Sequence, residues 1–421
     1  MDARALPPRP SLAQYRKQAK DLLRATRAGD PEAVERMNQC PRVRDNAGAE
    51  RHIAYALADG QFVIAREHGF ESWPAFASHV EGLERQDPSV ARFEAAAGAV
   101  ISGDESVLAQ LLRDEPGLIR ARSARAHHAT LLHYVAANGV EDFRQRTPAN
   151  AVAIARQLIE AHAVVDATAD TYGGGPAMTT LNLLVSSVHP ARAALQVPLA
   201  ELLLDAGAAI EGVAGDGSPL LTALAFRYPD AAEALARRGA RADTVLAAAG
   251  LGREDAVRHF VRADGEPKAD VPLASVPWGR LSRNPQAHME RALIWAATLG
   301  RLGVTKFLSR QRVDLGAKDE QGFTALHWAA FQGHQDVLEV LLHRNAPLEA
   351  TNNYGGTVLG STIWASMHVD GIFRAGGFTP VDYIPIVERL LAAGARVDAV
   401  AFPSGNAAID DVLARHGAHA S

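Results

Sequence analysis

The chain of 421 residues holds one cysteine, Cys40. It can close no disulfide within itself and can assemble no thiolate zinc site. It lacks an excess of either charge, with 43 Lys and Arg against 48 Asp and Glu and a formal net charge of -5. A strong basic surplus, the footprint of nucleic-acid or acidic-membrane binding, is therefore missing. No stretch of about 18 apolar residues free of charge occurs, so no spanning helix is expected. The opening "MDARALPPRPSLAQYRKQAKDLL" has no apolar core before a small-residue cleavage site and does not read as a secretory signal. HExxH, a P-loop lysine motif, GxSxG and an EF-hand loop are all missing. These absences point to a cytoplasmic protein with no cofactor, no metal, no nucleic-acid partner and no membrane partner. They identify no catalytic residue.

What the chain does have is apolar content, 48% of residues, over a length too great for one ordinary core. That combination predicts several domains or a repeat array. The stretch "GFTALHWAAFQGHQDVLEVLLHRNAPLEATN", residues 322–352, shows which. Thr324, Ala325, Leu326 and His327 lead into Ala329 and Ala330, whose small side chains let neighbouring helices approach. Gly333 supplies a left-handed stop. Val337, Leu338, Val340, Leu341 and Leu342 then make the apolar face of a second helix.

This helix-turn-helix unit resembles the ankyrin repeat, with its period of about 33 residues and its T-P-L-H-x-A signature. Ala325 replaces the signature Pro, and Asn345 stands where a Gly usually closes the second helix. Weaker copies recur as "TLLHYVAANG" (130–139), "TTLNLLVSS" (179–187), "SPLLTALAF" (218–226), "RALIWAATLGR" (291–301) and "GTVLGSTIWAS" (356–366). Second-helix endings recur as "AELLLDAGAAIE", "AEALARRGARAD" and "VERLLAAGARVDA". The resemblance implies an all-α ankyrin-repeat solenoid of about seven to eight units. It also implies that Thr324 with His327, and Thr130 with His133, pin turns rather than do chemistry. Trp295 and Trp328 fall at positions packed between helices.

Residues 1–86 read as a separate N-terminal helical domain. Ser11 is placed to cap its first helix with Gln14 at the capping-box position, and Ser72 to cap its last. Phe70, Trp73 and Phe76 are its expected core. This segment resembles a lead placed before ankyrin arrays in bacterial proteins. Residues 91–126 read as a degenerate first repeat, and 127–419 as the array, closed by the polar-faced half repeat "GNAAIDDVLARHGA".

Four insertions interrupt the pattern: 140–151, 189–196, 262–288 and 368–385. Long loops in a compact array are functional or disordered. The first two belong to consecutive repeats and should lie side by side. They would then offer Arg144, Arg146, His189 and Arg192 as a possible anion-holding rim, unless Glu141 and Asp142 neutralise it. "YGGGP" (172–176) looks like turn glycines rather than a phosphate loop. "HHATLLH", with His127, His128 and His133, shows no carboxylate partner nearby, which argues against a metal site.

The expected function is protein–protein recognition. By the resemblance, the exposed contact positions map to Glu320, Gln321, Phe323, Phe331 and Gln332 in the best repeat, and to Tyr354, Trp364 and Ala365 in the next. A second reading, of a different class, has the inserted loops closing into a small-molecule or enzymatic pocket.

Overall fold

The computed structural model describes residues 4, 6–7, 10–38, 55–84, 88–141, 144–171, 175–276, 281–368 and 381–419. Cys40, Asp142, the first glycines of "YGGGP" and most of the 368–385 insertion lie outside the described residues. The chain divides into two compact units, Met1–Ala208 and Ala209–Ser421. Among the described residues, no helix is long and apolar enough to cross a membrane.

The first unit opens with the helices Leu12–Arg27, Pro31–Met37, Leu57–Glu67 and Trp73–Glu84. They close on Tyr15, Met37, Ile64, Phe70 and Phe76, with Trp73 half-buried against them. The Phe76 ring takes Tyr15 and Phe70 edge-on, at centroid distances of 4.9 and 5.2 Å, a favoured aromatic geometry. Ser72 caps as expected, its Oγ accepting from the Ala75 N–H at 3.4 Å. Ser11 stands at the N-cap position of the first helix, but its side chain makes no capping bond. The capping box expected with Gln14 is therefore not formed.

Helices Pro88–Ser102 and Glu105–Asp114 follow, joined through Gly103 at φ 77°. Asp104 caps the second of them by accepting from the Val107 N–H at 3.0 Å. The next signature, Leu131–Ala136, is a 3₁₀ helix rather than an α-helix, stopped by Ala137 at φ 50°. Its partner helix is Ala151–Glu160. A short antiparallel hairpin pairs Thr168–Asp170 with Ala177–Thr179. The last pair, Thr180–Leu184 and Gln196–Asp205, has the 189–196 insertion between its helices. The first half of that insertion lies in an added helical turn, Val188–Arg192.

A buried charge network joins these pieces. Arg125 Nε lies 3.0 Å from Glu141 and 3.3 Å from Glu94, and its guanidinium covers the Phe70 ring at 4.8 Å. Arg144 pairs with the same two carboxylates. Glu141 also accepts from Tyr134 Oη at 2.8 Å and sits 3.0 Å from His127 Nε2. Burial alone would push Glu141 up, but Arg125, the His127 hydrogen bond and Arg144 outweigh it and hold the carboxyl down at about 2.

The second unit stacks helix pairs: Ser218–Ala225 with Pro229–Arg237, Val245–Gly250 with Glu254–His259, and Pro285–Thr298 with Leu302–Leu308. Ala325–Gln332 with Gln335–His343 and Val358–His368 with Ile384–Ala392 follow, and Ala407–Arg415 stands last. Caps mark their starts: Thr244 accepts from the Ala247 N–H and Asn406 from the Ile409 N–H. Left-handed residues mark their stops. Gly239 and Gly394 close second helices at φ 100° and 98°, and Asn345 takes the same place at φ 57°.

The Thr–His turn is built alike in each unit. The Thr130 N–H points at His133 Nδ1 (3.2 Å), and the Thr324 N–H at His327 Nδ1 (3.3 Å). The Thr hydroxyls reach the same nitrogens at 2.8 and 2.9 Å. A backbone N–H can only donate, so Nδ1 is an acceptor and the ring proton sits on Nε2. From there His327 donates to the Gly356 carbonyl of the following repeat at 3.3 Å. His133 Nε2 lies near the Met178 and Ala167 backbone but makes no hydrogen bond of ordinary geometry.

Burial pushes both imidazoles down to about 4, and does the same to His79. The unfolded chain takes up these protons near pH 6.5, the folded chain only near 4. Acid therefore favours unfolding in that window, and stability rises with pH through it and levels off above. Each group is expected to contribute up to about 3 kcal/mol of this dependence. Urea titrations at pH 4.5 and pH 7 should show the loss. His327→Ala should be less stable than wild type at pH 7 by roughly 1–3 kcal/mol. Unchanged melting of that variant would contradict the pinning role. In the first unit, Arg125→Ala leaves Glu94 and Glu141 buried with Arg144 alone. It should cost about 3–5 kcal/mol by the same titration.

Candidate functional site

In the second unit, a cleft of about 670 Å³ opens beside the helices Ala325–Gln332 and Val358–His368. Phe323, Trp328, Phe331 and Trp364 line it, with Tyr354 and Met367 at its edge and Ala399–Ala401 opposite. Helical spacing explains the group. Trp328 and Phe331 are three residues apart, so they share a face. Phe323 stacks on Trp328 at 4.8 Å, and Phe331 meets Trp328 edge-on at 5.6 Å. Trp364, from the next repeat, lies parallel to Phe331 at 6.2 Å and carries His368 stacked on it at 4.8 Å.

Phe331 is also fixed from behind, where Tyr383 Oη donates to its carbonyl at 2.8 Å. Asp319 holds the turn. Its carboxylate accepts from the Gln321 and Phe323 N–H groups (3.0 and 2.8 Å) and from Trp328 Nε1 (2.6 Å). Burial nonetheless pushes this carboxyl up, against those three hydrogen bonds.

The expected contact positions divide here. Tyr354 is 79% exposed and Trp364 45%, and Glu320 and Gln321 are exposed at the turn. Phe323, Phe331, Gln332 and Ala365 are buried, at 8%, 4%, 6% and 1%, contrary to their mapping as exposed positions. The two phenylalanines are covered by their own aromatic neighbours and present only a face to the cleft. Gln332 and Ala365 turn into the packed side of their helices. Glu320 is engaged by Arg291, with N–O distances of 2.5 and 2.7 Å.

Trp328 and Arg227 are among the cleft members outside these positions. Trp328, at a packed position, is also a wall. Arg227 comes from a different repeat, and its guanidinium lies over the Trp328 ring at 4.7 Å. Its Nε is buried without a hydrogen-bond partner, and no ion pair reaches it among the described residues. Burial holds it below the usual arginine range, with Tyr228 and Asp319 offsetting only part of that effect. Arg227 also sits at φ 66°, in the slot between paired helices that Gly252, Gly300 and Gly333 fill in later pairs. A side chain at positive φ in a glycine slot was the available sequence signal.

The four rim residues do not form a cationic edge. Arg144 faces inward to Glu94 and Glu141. His189 Nε2 meets Gln145 Oε1 at 3.2 Å, which does place the two insertions side by side. Arg146 and Arg192 are exposed. Glu141, in the same loop, and Glu94, far away in sequence, share the charge of Arg144, so the local neutralisation by Glu141 holds. The histidine cluster likewise has carboxylate partners that local reading missed, Glu141 for His127 and Asp170 for His128 at 3.2 Å. Among the described residues, no group of three or more potential metal ligands comes together.

The family model for ankyrin repeats matches residues 245–352 in three copies. Ankyrin repeat domain-containing protein 49 of Homo sapiens is 35% identical over 75 residues, 17% of this chain and 31% of that protein. Ankyrin repeat domain-containing protein 39 of Homo sapiens is 37% identical over 92 residues, 21% of this chain and 50% of that protein. The Acyl-CoA-binding domain-containing protein 6 of Danio rerio is 43% identical over 42 residues, 10% of this chain and 14% of that protein. The matches thus span half or less of the relatives' length. The helix pairs, the Thr–His turns and these matches together make residues 245–352 ankyrin repeats within an all-α repeat solenoid.

Proposed function

We propose that this chain is a recognition scaffold and that the aromatic cleft of the second unit is where a partner protein docks. One observation carries the reading. Of the seven large apolar side chains exposed among the described residues, three line this cleft: Tyr354, Trp364 and Met367. Single exposed apolar residues need no explanation, whereas a contiguous patch of them marks an interaction surface. Two of the three are aromatic, the type that dominates interface energetics, and the floor beneath them is rigid and stacked. No catalytic group, cofactor or metal enters the proposal. The lone cysteine agrees with a reducing, cytoplasmic setting.

A second reading, a small-molecule site, draws on the cleft's volume. About 670 Å³ falls within the roughly 300–1,000 Å³ of typical ligand pockets, and the walls are largely apolar. It places the pocket on the aromatic repeats rather than between inserted loops.

Site-specific photocrosslinking separates the two. A photoreactive residue at position 354 should capture a protein, and one at Val213, exposed elsewhere on the same unit, should not. The double variant Tyr354→Ala, Trp364→Ala is expected to lose at least about tenfold of that partner's affinity, with each anchor worth roughly 1–3 kcal/mol. Equal recovery by the folded double variant would sink the docking surface.

A further inference from the structure

Arg227 has no hydrogen-bond or ion-pair partner among the described residues, although other arginines packed into this molecule have found one. Arg125 and Arg144 each meet two carboxylates, and Arg291 meets Glu320. Arg227 is held over Trp328 at the apolar cleft with a buried, unsatisfied Nε. A cation in such surroundings is costly unless something completes it. Asp319 does not, because its oxygens are occupied by Trp328 and two backbone N–H groups and it forms no ion pair with Arg227. The backbone adds a second cost, since Arg227 occupies a left-handed slot that glycine fills in the later pairs. Position and charge are both explained if the cation serves a ligand.

We infer that the cleft recognises a partner segment in which an aspartate or glutamate stands beside a large apolar residue, the carboxylate closing on Arg227 while the apolar side chain enters among Trp328, Phe331 and Trp364. The inference rests on the docking reading and adds the partner's chemistry. A single guanidinium in apolar walls suits one monovalent carboxylate, bound by its fork. A phosphate dianion would call for a second cation, and among the described residues no other Lys or Arg lines the cleft. A chain segment is favoured over a free acid because the outer aromatics, Tyr354 and Trp364, stay exposed to solvent unless something longer lies across them.

The test is selection of random peptides by display on the full-length protein, on Arg227→Gln, on Arg227→Lys and on Trp364→Ala, with folding checked by thermal melting. Wild-type protein should select peptides with an aromatic or branched anchor flanked by Asp or Glu, enriched at least about tenfold over Asn and Gln. A tenfold preference corresponds to about 1.4 kcal/mol. On Arg227→Gln the anchor should persist and the acid enrichment vanish, while Arg227→Lys should retain part of it. Anchored peptides without acid enrichment on wild type would overturn the inference and leave the docking reading standing. Acid enrichment that survives in Arg227→Gln would overturn it equally. If Arg227→Gln does not fold, the wild-type selection and Arg227→Lys still decide. No selection that depends on Trp364 would remove both readings.

Discussion

A neutral imidazole is the condition on which the two Thr–His turns depend. His327 must accept on one nitrogen and donate from the other, because a Thr N–H occupies Nδ1 and the next repeat's carbonyl faces Nε2. Only one tautomer does both. A protonated ring would place a second proton against an N–H that cannot turn away. Burial is the main cost of the charged form, and the N–H held against Nδ1 adds to it. A repeat contacts only its neighbours, so where the turn occurs, as at His327, it fixes one repeat and bonds it to the next.

Charge is handled in two ways in this molecule. In the first unit, Arg125 and Arg144 face Glu94 and Glu141 in a closed network that also takes in His127 and Tyr134. Such a network contributes little net stability against an apolar alternative, but breaking one member is severe. It therefore acts mainly to specify how the helical lead meets the first repeats. In the second unit, Arg227 is left open. A cleft-lining cation with no ion pair among the described residues marks a place where the missing member comes from outside.

The fold was legible where local rules repeat. Thr-x-x-His, the paired alanines and the glycine stops all state the same helix pair, and Asn345 at φ 57° kept the glycine's place. The core role of Phe70, Phe76 and Trp73 was readable for the same reason, from spacing on short helices. Ser11 was misread as a working cap because residue type places a cap without fixing its rotamer. The site was legible only in part. Tyr354 and Trp364 followed from their positions in the repeat, but Phe323 and Phe331 are buried because each is covered by rings from other positions. For Arg144 the loop held half of the answer, Glu141 three residues before it, while Glu94 lies 50 residues upstream and was out of local reach.

Arg227 shows what such a regular fold makes visible. In an irregular protein a left-handed arginine would be one oddity among many. Here the equivalent slot recurs, glycine fills it in the later pairs, and the departure has a stated backbone cost. Departures of that kind persist when the surrounding structure compensates or when function requires them. Among the described residues the surroundings of Arg227 do not compensate: its Nε is unsatisfied and its guanidinium lies on the face of Trp328. Cation–ring attraction offsets only part of the desolvation of a guanidinium. The remainder is recovered only when an anion arrives, and the aromatic walls decide which anions can bring enough apolar surface with them.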